Sequence, residues 1–457
     1  MHNKVSSRGV MVWLSILMFL QFWIWGSWYI SVSLYMMEHG MGDVRYYAYT
    51  AGPVAAIIAP FFTGLFADRF FNTEKVLAGL FALGGGFMLL LPWIGGLDGT
   101  VLAESAGGVA TAMEVTVLGL TCNKGELFNW TILAHMLCYM PTLALTASLS
   151  FHHLPKGSTQ FPMVRLWGTL GWIAAGFFLA FAMKETLSGG AVIGGEMRAG
   201  QFYLGGIASV ILGLFCLTLP KTPAPLKGKP LDWRTLLFAD ALRQMRRSTF
   251  AVFMIGSFLV CIPLAAYYAS LQQQMEAMGF TNIAAWKNTG TFIEAGMMFL
   301  MPWFFRKLGV RWMILTGIAA WALRYVLFSL GASPDGFYLV VGGIALHGIC
   351  YDFFFVTGQV YVDQATPASI RGQAQSMTVF FTQGLGLFIG ALVANELAAR
   401  AFRVPDAAGN FTQVASNTAE SLPFWPSFWW PLCAMATALL VLFFFVFKPE
   451  SRDEGQG

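Results

Sequence analysis

Four charged side chains stand out inside apolar runs of this sequence. They are Arg165 in "FPMVRLWGTLGWIAAGFFLAFAM", Glu294 in "TGTFIEAGMMFLMPWFF", Arg324 in "WALRYVLF" and Asp352 in "LHGICYDFFFVTGQVY". A charge at bilayer depth costs about 2.5–3.5 kcal/mol on insertion scales, so such residues face a partner or a watery cavity rather than lipid. Two acids and two bases can neutralise one another, and an Arg324–Asp352 pair is the simplest arrangement. Burial disfavours the charged form of a carboxylate, which makes Glu294 and Asp352 the candidates for taking up and releasing a proton. Arg165 keeps its charge and offers only donors. It shares a helix face with Thr169 at i+4 and Trp172 at i+7. A long donor, a hydroxyl and an indole plate in one stripe suit a polar ring bearing oxygen substituents. The alternative for Arg165 is a purely structural one, with the side chain snorkelling to the inner headgroups. Thr291 lies one turn before Glu294, while His347 and Tyr351 precede Asp352. In "FLQFWIWGSWYISVSLY", Gln21, Trp25 and Trp28 fall on one face, either lining the same cavity or bonding a neighbouring helix.

These residues need a membrane scaffold, and composition supplies it. The chain has 457 residues, 57% hydrophobic and 11% charged, with a mean hydropathy of +0.63. A soluble domain is about a quarter charged. Apolar runs long enough to cross a hydrocarbon core of about 30 Å recur along the whole chain. We place twelve spans, near Val10–Met37, Tyr47–Phe66, Val76–Ile94, Trp130–Ser150, Val164–Met183, Phe202–Leu219, Phe250–Ser270, Thr289–Phe305, Trp312–Leu330, Phe337–Val360, Met377–Ala398 and Pro426–Val446. The expected fold is all-α integral membrane, in two halves of six helices. Residues 1–220 form the first half, residues 221–247 a basic linker with a short amphipathic surface helix ("DWRTLLFADALRQM"), and residues 248–457 the second half. The segment between spans 3 and 4 has no assigned element.

Lys and Arg gather in alternate loops, among them Lys75, Lys156, Lys227, Arg246, Arg306 and Arg371. This bias places both termini in the cytoplasm. The six cysteines show no metal or redox spacing and read as small core residues, with Cys122 in a loop. No metal or cofactor motif stands out, and no catalytic triad or nucleophile constellation, so an enzyme is not expected. A sensor would carry a soluble output domain, which the short inner segments do not provide. "LGGGF" in span 3 lacks the Lys-Ser/Thr of a phosphate loop and reads as helix packing.

Twelve spans in two halves joined by a basic linker is the outline of the major facilitator superfamily. "GLFADRF", with Gly64, Asp68 and Arg69, resembles that superfamily's loop motif after span 2, where the charges favour one conformation of an alternating-access cycle. More specific stretches are "FLQFWIWGSW", "MPTLALTASLSFHHL", "FPMVRLWGTLGW", "YDFFFVTGQVYV" and "TPASIRGQAQSM". In matching order over nearly the whole chain, they resemble the nucleoside:H⁺ symporter family, the bacterial nucleoside permeases.

The resemblance implies proton-coupled import of nucleosides across the cytoplasmic (inner) membrane. It implies no cofactor and no nucleic-acid partner, only a small-molecule substrate, a proton and the lipid bilayer, with a monomer expected. By position it gives substrate-binding roles to Arg165, Thr169, Trp172, Glu294 and Asp352; Tyr268, Thr291 and Tyr351 join them as substrate-binding candidates on their own chemistry and place in the spans. Glu294 and Asp352 are the proton-coupling candidates, and Gln21, Trp25, Trp28 and His347 are candidate cavity residues from their spacing rather than from the resemblance. One departure concerns span 7, "CIPLAAYYASLQQQ", which has Ala265 and Tyr268 where family amides are expected; Thr291 likewise replaces an amide near Glu294. Amides read the edge of a base. Their loss keeps open a second reading, a carrier of another polar ring such as a sugar or glycoside, with Tyr267, Tyr268 and Gln272–Gln274 offering a different edge.

Overall fold

A computed structural model of the protein describes residues 7–29, 31–45, 47–62, 71–104, 110–179, 183, 185–186, 192–193, 198–224, 239–280, 283–405 and 411–449. Helix dominates, because a backbone in lipid must satisfy its own N–H and C=O groups. Among the described residues, eight helices are long and apolar enough to cross a membrane, and Tyr47–Ala59 and Gly200–Cys216 are shorter apolar helices. The chain forms two compact units, Met1–Pro155 with Val164–Phe238, and Lys156–Met163 with Ala239–Gly457.

The first unit contains α1 (Ser7–Gly26), α2 (Val32–Glu38), α3 (Tyr47–Phe62), α4 (Thr73–Gly95), α5 (Lys124–His153), α6 (Gly157–Phe177) from Val164 onward, and α7 (Gly200–Cys216). Span 1 is therefore not one helix to Met37. It breaks after Gly26, where a turn bonded by Ser27 Oγ to the Ile24 carbonyl leads into α2. The segment before α5 folds as a three-stranded antiparallel sheet of β1 (Thr100–Glu104), β2 (Ala110–Val117) and β3 (Leu120–Asn123), ordered β1-β2-β3. Cys122 thus lies in a strand rather than a loop. Glycines set the closest helix contacts, as is usual where helices pack without a hydrophobic driving force. A Cβ on Gly85 of α4 would stand 2.9 Å from the Gly206 carbonyl of α7, so the glycine run in span 3 is indeed a packing face.

The second unit contains α8 (Ala239–Arg243), α9 (Ser248–Ala277), α10 (Ile283–Leu330), α11 (Phe337–Ala345), α12 (His347–Tyr351), α13 (Thr357–Ala365), α14 (Arg371–Val379), α15 (Leu387–Ala401) and α16 (Trp425–Val446). Of the anticipated linker helix, the described part is α8 and a 3₁₀ turn over Gln244–Arg246. Spans 8 and 9 run together as α10, which is interrupted at Gly309 with φ 64° and ψ 174°. That backbone region is essentially restricted to glycine. Nothing would crowd a Cβ there, so Gly309→Ala isolates the strain. It is expected to destabilise the protein by about 1–3 kcal/mol, read as a lower thermal unfolding midpoint in detergent.

Two stretches in this unit are π-helical, Asp352–Val356 between α12 and α13 and Phe380–Gly386 between α14 and α15. A π turn carries an extra residue, re-aims the side chains around it and is common at functional sites.

Candidate functional site

In the first unit, the residues of interest gather where α6 crosses α1. Gly168 and Gly171 let the helices meet. A Cβ on Gly168 would lie 2.7 Å from the Phe22 ring, and one on Gly171 would collide with the Phe19 carbonyl. Gly26 repeats the device from the other side, 3.0 Å from the Trp172 backbone. The close approach brings the Arg165 guanidinium over the Phe22 ring, 3.9 Å from its centroid, with the residue only 8% exposed. Its Nη1 donates a long hydrogen bond to Thr169 Oγ1 at 3.4 Å. The side chain is therefore turned against a neighbouring helix and not stretched along the surface. A cation over an aromatic face gains about 0.5–2 kcal/mol, which offsets part of its desolvation.

Trp172 meets Trp25 edge-on at 5.6 Å and lies 6.3 Å from Tyr29. Trp25 also packs on Tyr139 at 5.7 Å, and Tyr29 on Tyr49 at 5.3 Å. Tyr29, Tyr49 and Tyr139 were not singled out by the sequence. The i, i+4 spacing of Trp25 and Tyr29 was the available signal for the first of them. Gln21 and Trp28 share the face but not the setting. Gln21 is fully buried, donating through Nε2 to Thr142 Oγ1 at 2.8 Å, while its backbone carbonyl accepts from Tyr139 Oη at 2.8 Å. It is an amide bonded between α1 and α5. Trp28 is also fully buried, edge-on to His135 at 5.8 Å.

In the second unit, glycines again make the geometry. A Cβ on Gly348 would lie 2.7 Å from Glu294 Cα and 2.8 Å from its nitrogen, and one on Gly290 would lie 3.2 Å from His347 Cβ. The start of α12 therefore lies directly on the α10 backbone at Glu294. His347 Nε2 stands 3.7 Å from Glu294 Oε2, with side-chain exposures of 10% and 9%. On the other edge of the imidazole, Arg324 Nη1 is 3.1 Å from Nδ1. Arg324 is fully buried, and its guanidinium lies 3.6 Å from the Tyr267 ring centroid, with Trp321 and Phe328 at 5.4 and 5.5 Å. Tyr267 stacks on His347 at 5.5 Å, Tyr268 stands edge-on to it at 6.4 Å, and Tyr351 is tilted 5.7 Å away. Asp352 is fully buried and opens the first π segment.

Thr291 is partly exposed one turn before Glu294, and Tyr268 is 47% exposed. The glutamines after span 7 have other duties. Gln274 donates to the Phe328 carbonyl and accepts from Trp429 Nε1, Gln272 bonds Glu276, and Gln273 bonds Ser416. Gly64, Asp68 and Arg69 of the loop motif lie outside the described residues. Among the described residues, no cluster of His, Cys, Asp or Glu could hold a metal ion.

Because Gly348 has no room for a methyl, Gly348→Ala forces α12 off α10. Overpacking of this kind costs about 1–3 kcal/mol. A lower unfolding midpoint and weakened uptake are expected together, since the same shift displaces Glu294.

The model of the family described as "Nucleoside H+ symporter" matches residues 9–93 and 104–452. The chain belongs to the nucleoside H⁺ symporter family. Relatives of this symporter point the same way. YegT of Escherichia coli (strain K12), named for nucleoside transport, is 32% identical over 445 residues, 96% of this chain and 94% of its own. The xanthosine permease of the same organism is 26% identical over 458 residues, 96% of each chain. A crystal structure of a mutant of the nucleoside transporter NupG superposes with a TM-score of 0.63 at 25% identity, covering 96% of this chain and 100% of that one. The proton:xylose symporter XylE, at 14% identity and a TM-score of 0.63 over 97% of each chain, shares the fold. The symporter is thus a multi-pass membrane transporter of the major facilitator superfamily and not an enzyme.

Proposed function

We propose that this symporter imports nucleosides with protons across the bacterial cytoplasmic membrane by alternating access, as a monomer with both termini inside, built as two six-helix halves. Arg165, Thr169 and Trp172 bind substrate from the first half, and Tyr268, Thr291, Glu294, Tyr351 and Asp352 from the second. Trp172 offers a plate for the base or ribose, and Arg165 donates to its oxygens. Glu294 and Asp352 are the groups through which the proton is coupled. Protonation on the outer side, driven by potential and pH, accompanies substrate binding, and deprotonation inside accompanies release. Asp68 and Arg69 bias the conformational cycle.

The observation that carries the reading is a buried carboxylate, Glu294, held against an imidazole within a chain that matches the family over nearly its full length. Tyr268 stands exposed where an amide is expected, so the base edge is read differently here. Competition tests this. Unlabelled nucleosides should suppress labelled uridine or adenosine uptake while sugars and glycosides leave it unchanged; suppression by sugars alone would move the substrate to that class.

A further inference from the structure

We propose that His347 is a positioning residue for proton coupling, a neutral imidazole locked in one tautomer that transmits the donor character of Arg324 to Glu294. The inference rests on the proton-coupled reading of Glu294 and adds a residue to it. A guanidinium has five N–H donors and no acceptor. At 3.1 Å from Arg324 Nη1, His347 Nδ1 therefore has to be the acceptor and carries no hydrogen. The ring proton is then on Nε2, the nitrogen that faces Glu294 Oε2 at 3.7 Å. Donor and acceptor run in one direction, from Arg324 through His347 to Glu294.

The chain is engaged at the arginine and slack at the acid, because 3.7 Å exceeds hydrogen-bond range. A small rotation of the imidazole or of the Glu294 carboxylate completes it. Completion gives the Glu294 carboxylate a donor backed by a cation, which favours the deprotonated form. Slackening lets the acid keep its proton. The proton passes from outer water to a Glu294 oxygen and later from that oxygen to inner water, and His347 carries no net proton. A second proton on His347 would set an N–H against an N–H of Arg324, so the imidazole stays neutral while Arg324 is in place.

The surroundings hold this arrangement. Tyr267 of α9 stacks on the imidazole and also lies under the Arg324 guanidinium, which fixes both partners on one ring. Tyr268 of α9 and Tyr351 of α12 close its other sides, and Arg324 and Lys287 are the cations acting on it from α10. Glu294 is the carboxylate in contact with it, and Gly290 and Gly348 allow that contact.

Two measurements test the proposal on the full-length protein. The first is ¹⁵N-histidine NMR in lipid nanodiscs, with the His347 signal identified by its loss in His347→Gln. The expected result is a neutral ring protonated on Nε2 between about pH 5 and 8. An imidazolium in that range, or the Nδ1–H tautomer, overturns the proposal. This readout needs no substrate, so it decides the point even where wild-type protein moves no nucleoside, a result that would count against the transport reading alone.

The second compares His347→Gln with His347→Phe. The glutamine amide keeps a donor and an acceptor, while the phenyl ring keeps only the packing. A hydrogen bond to a charged group is worth about tenfold or more in an equilibrium. In His347→Phe, proton-driven accumulation should fall about tenfold further than nucleoside counterflow does. Its uptake should also persist to higher external pH, because the acid has lost a donor. His347→Gln should lie near wild type on both. A phenylalanine variant with wild-type accumulation and pH profile overturns the relay, as does one in which accumulation and counterflow fall equally.

Discussion

Glu294→Gln is expected to abolish accumulation of nucleoside against its gradient while leaving exchange across the membrane measurable. Glutamine has the shape of the protonated acid and cannot lose the proton. The variant should therefore behave as a carrier fixed in the loaded state, able to bind and to exchange substrate but not to couple. The loss is large. One proton moving down about 100 mV supplies about 2.3 kcal/mol, roughly a fiftyfold concentration ratio. That factor should disappear, and uptake should level off at equilibrium whatever the external pH. The close packing of Gly348 on the Glu294 backbone is undisturbed by this substitution, so misfolding does not explain the loss. Counterflow in proteoliposomes, run beside proton-driven uptake, separates the two effects. Accumulation unchanged in Glu294→Gln would remove this residue from the coupling role and leave Asp352.

Arg165→Ala should cost affinity instead. The guanidinium lies over Phe22 and reaches Thr169 only at 3.4 Å, so most of its donor capacity is uncommitted to these two neighbours. Hydrogen bonds to charged groups contribute about 1.5–3 kcal/mol each. Losing two of them to substrate oxygens weakens binding by about a hundredfold or more. Arg165→Lys keeps the charge and loses the planar fork and much of the stacking, a change that is not conservative at such a site. Its affinity should recover only in part. Substrate binding by calorimetry or scintillation proximity, at fixed salt, gives both numbers. Full recovery in the lysine variant would show that charge alone matters and that the planar contact with Phe22 is incidental.

Much of this was legible in the sequence because lipid is an exacting solvent. An ionised group inside an apolar run is conspicuous, and Arg165, Glu294, Arg324 and Asp352 were found on that ground alone. Gly168 and Gly171 lie between Arg165 and Trp172 and form the close-approach surface, and α1 is the helix that approaches. What the pattern could not carry were contacts between distant segments and local departures from a 3.6-residue period. The expected Arg324–Asp352 partnership came from counting charges, and counting could not weigh His347 and Tyr267, which the geometry sets against Arg324. Gln21 could line a cavity or bond a neighbouring helix by pattern alone; its Nε2 bonds Thr142 across to α5. The break after Gly26 and the π turn at Asp352 leave hydropathy unchanged, so a span-length window passes over both. The small sheet before α5 was hidden because β1 and β3 are short and β2 is half-buried along most of its length, with little alternation to read.

The central claim is coupled nucleoside import, and one experiment addresses it directly. Purified protein is reconstituted in liposomes, and radiolabelled uridine and adenosine uptake is followed with and without an inward proton gradient. Accumulation of at least one nucleoside above its equilibrium level, only with the gradient and collapsed by a protonophore, is the predicted result. Folded protein that moves neither nucleoside, or moves one to the same level with and without the gradient, would contradict it.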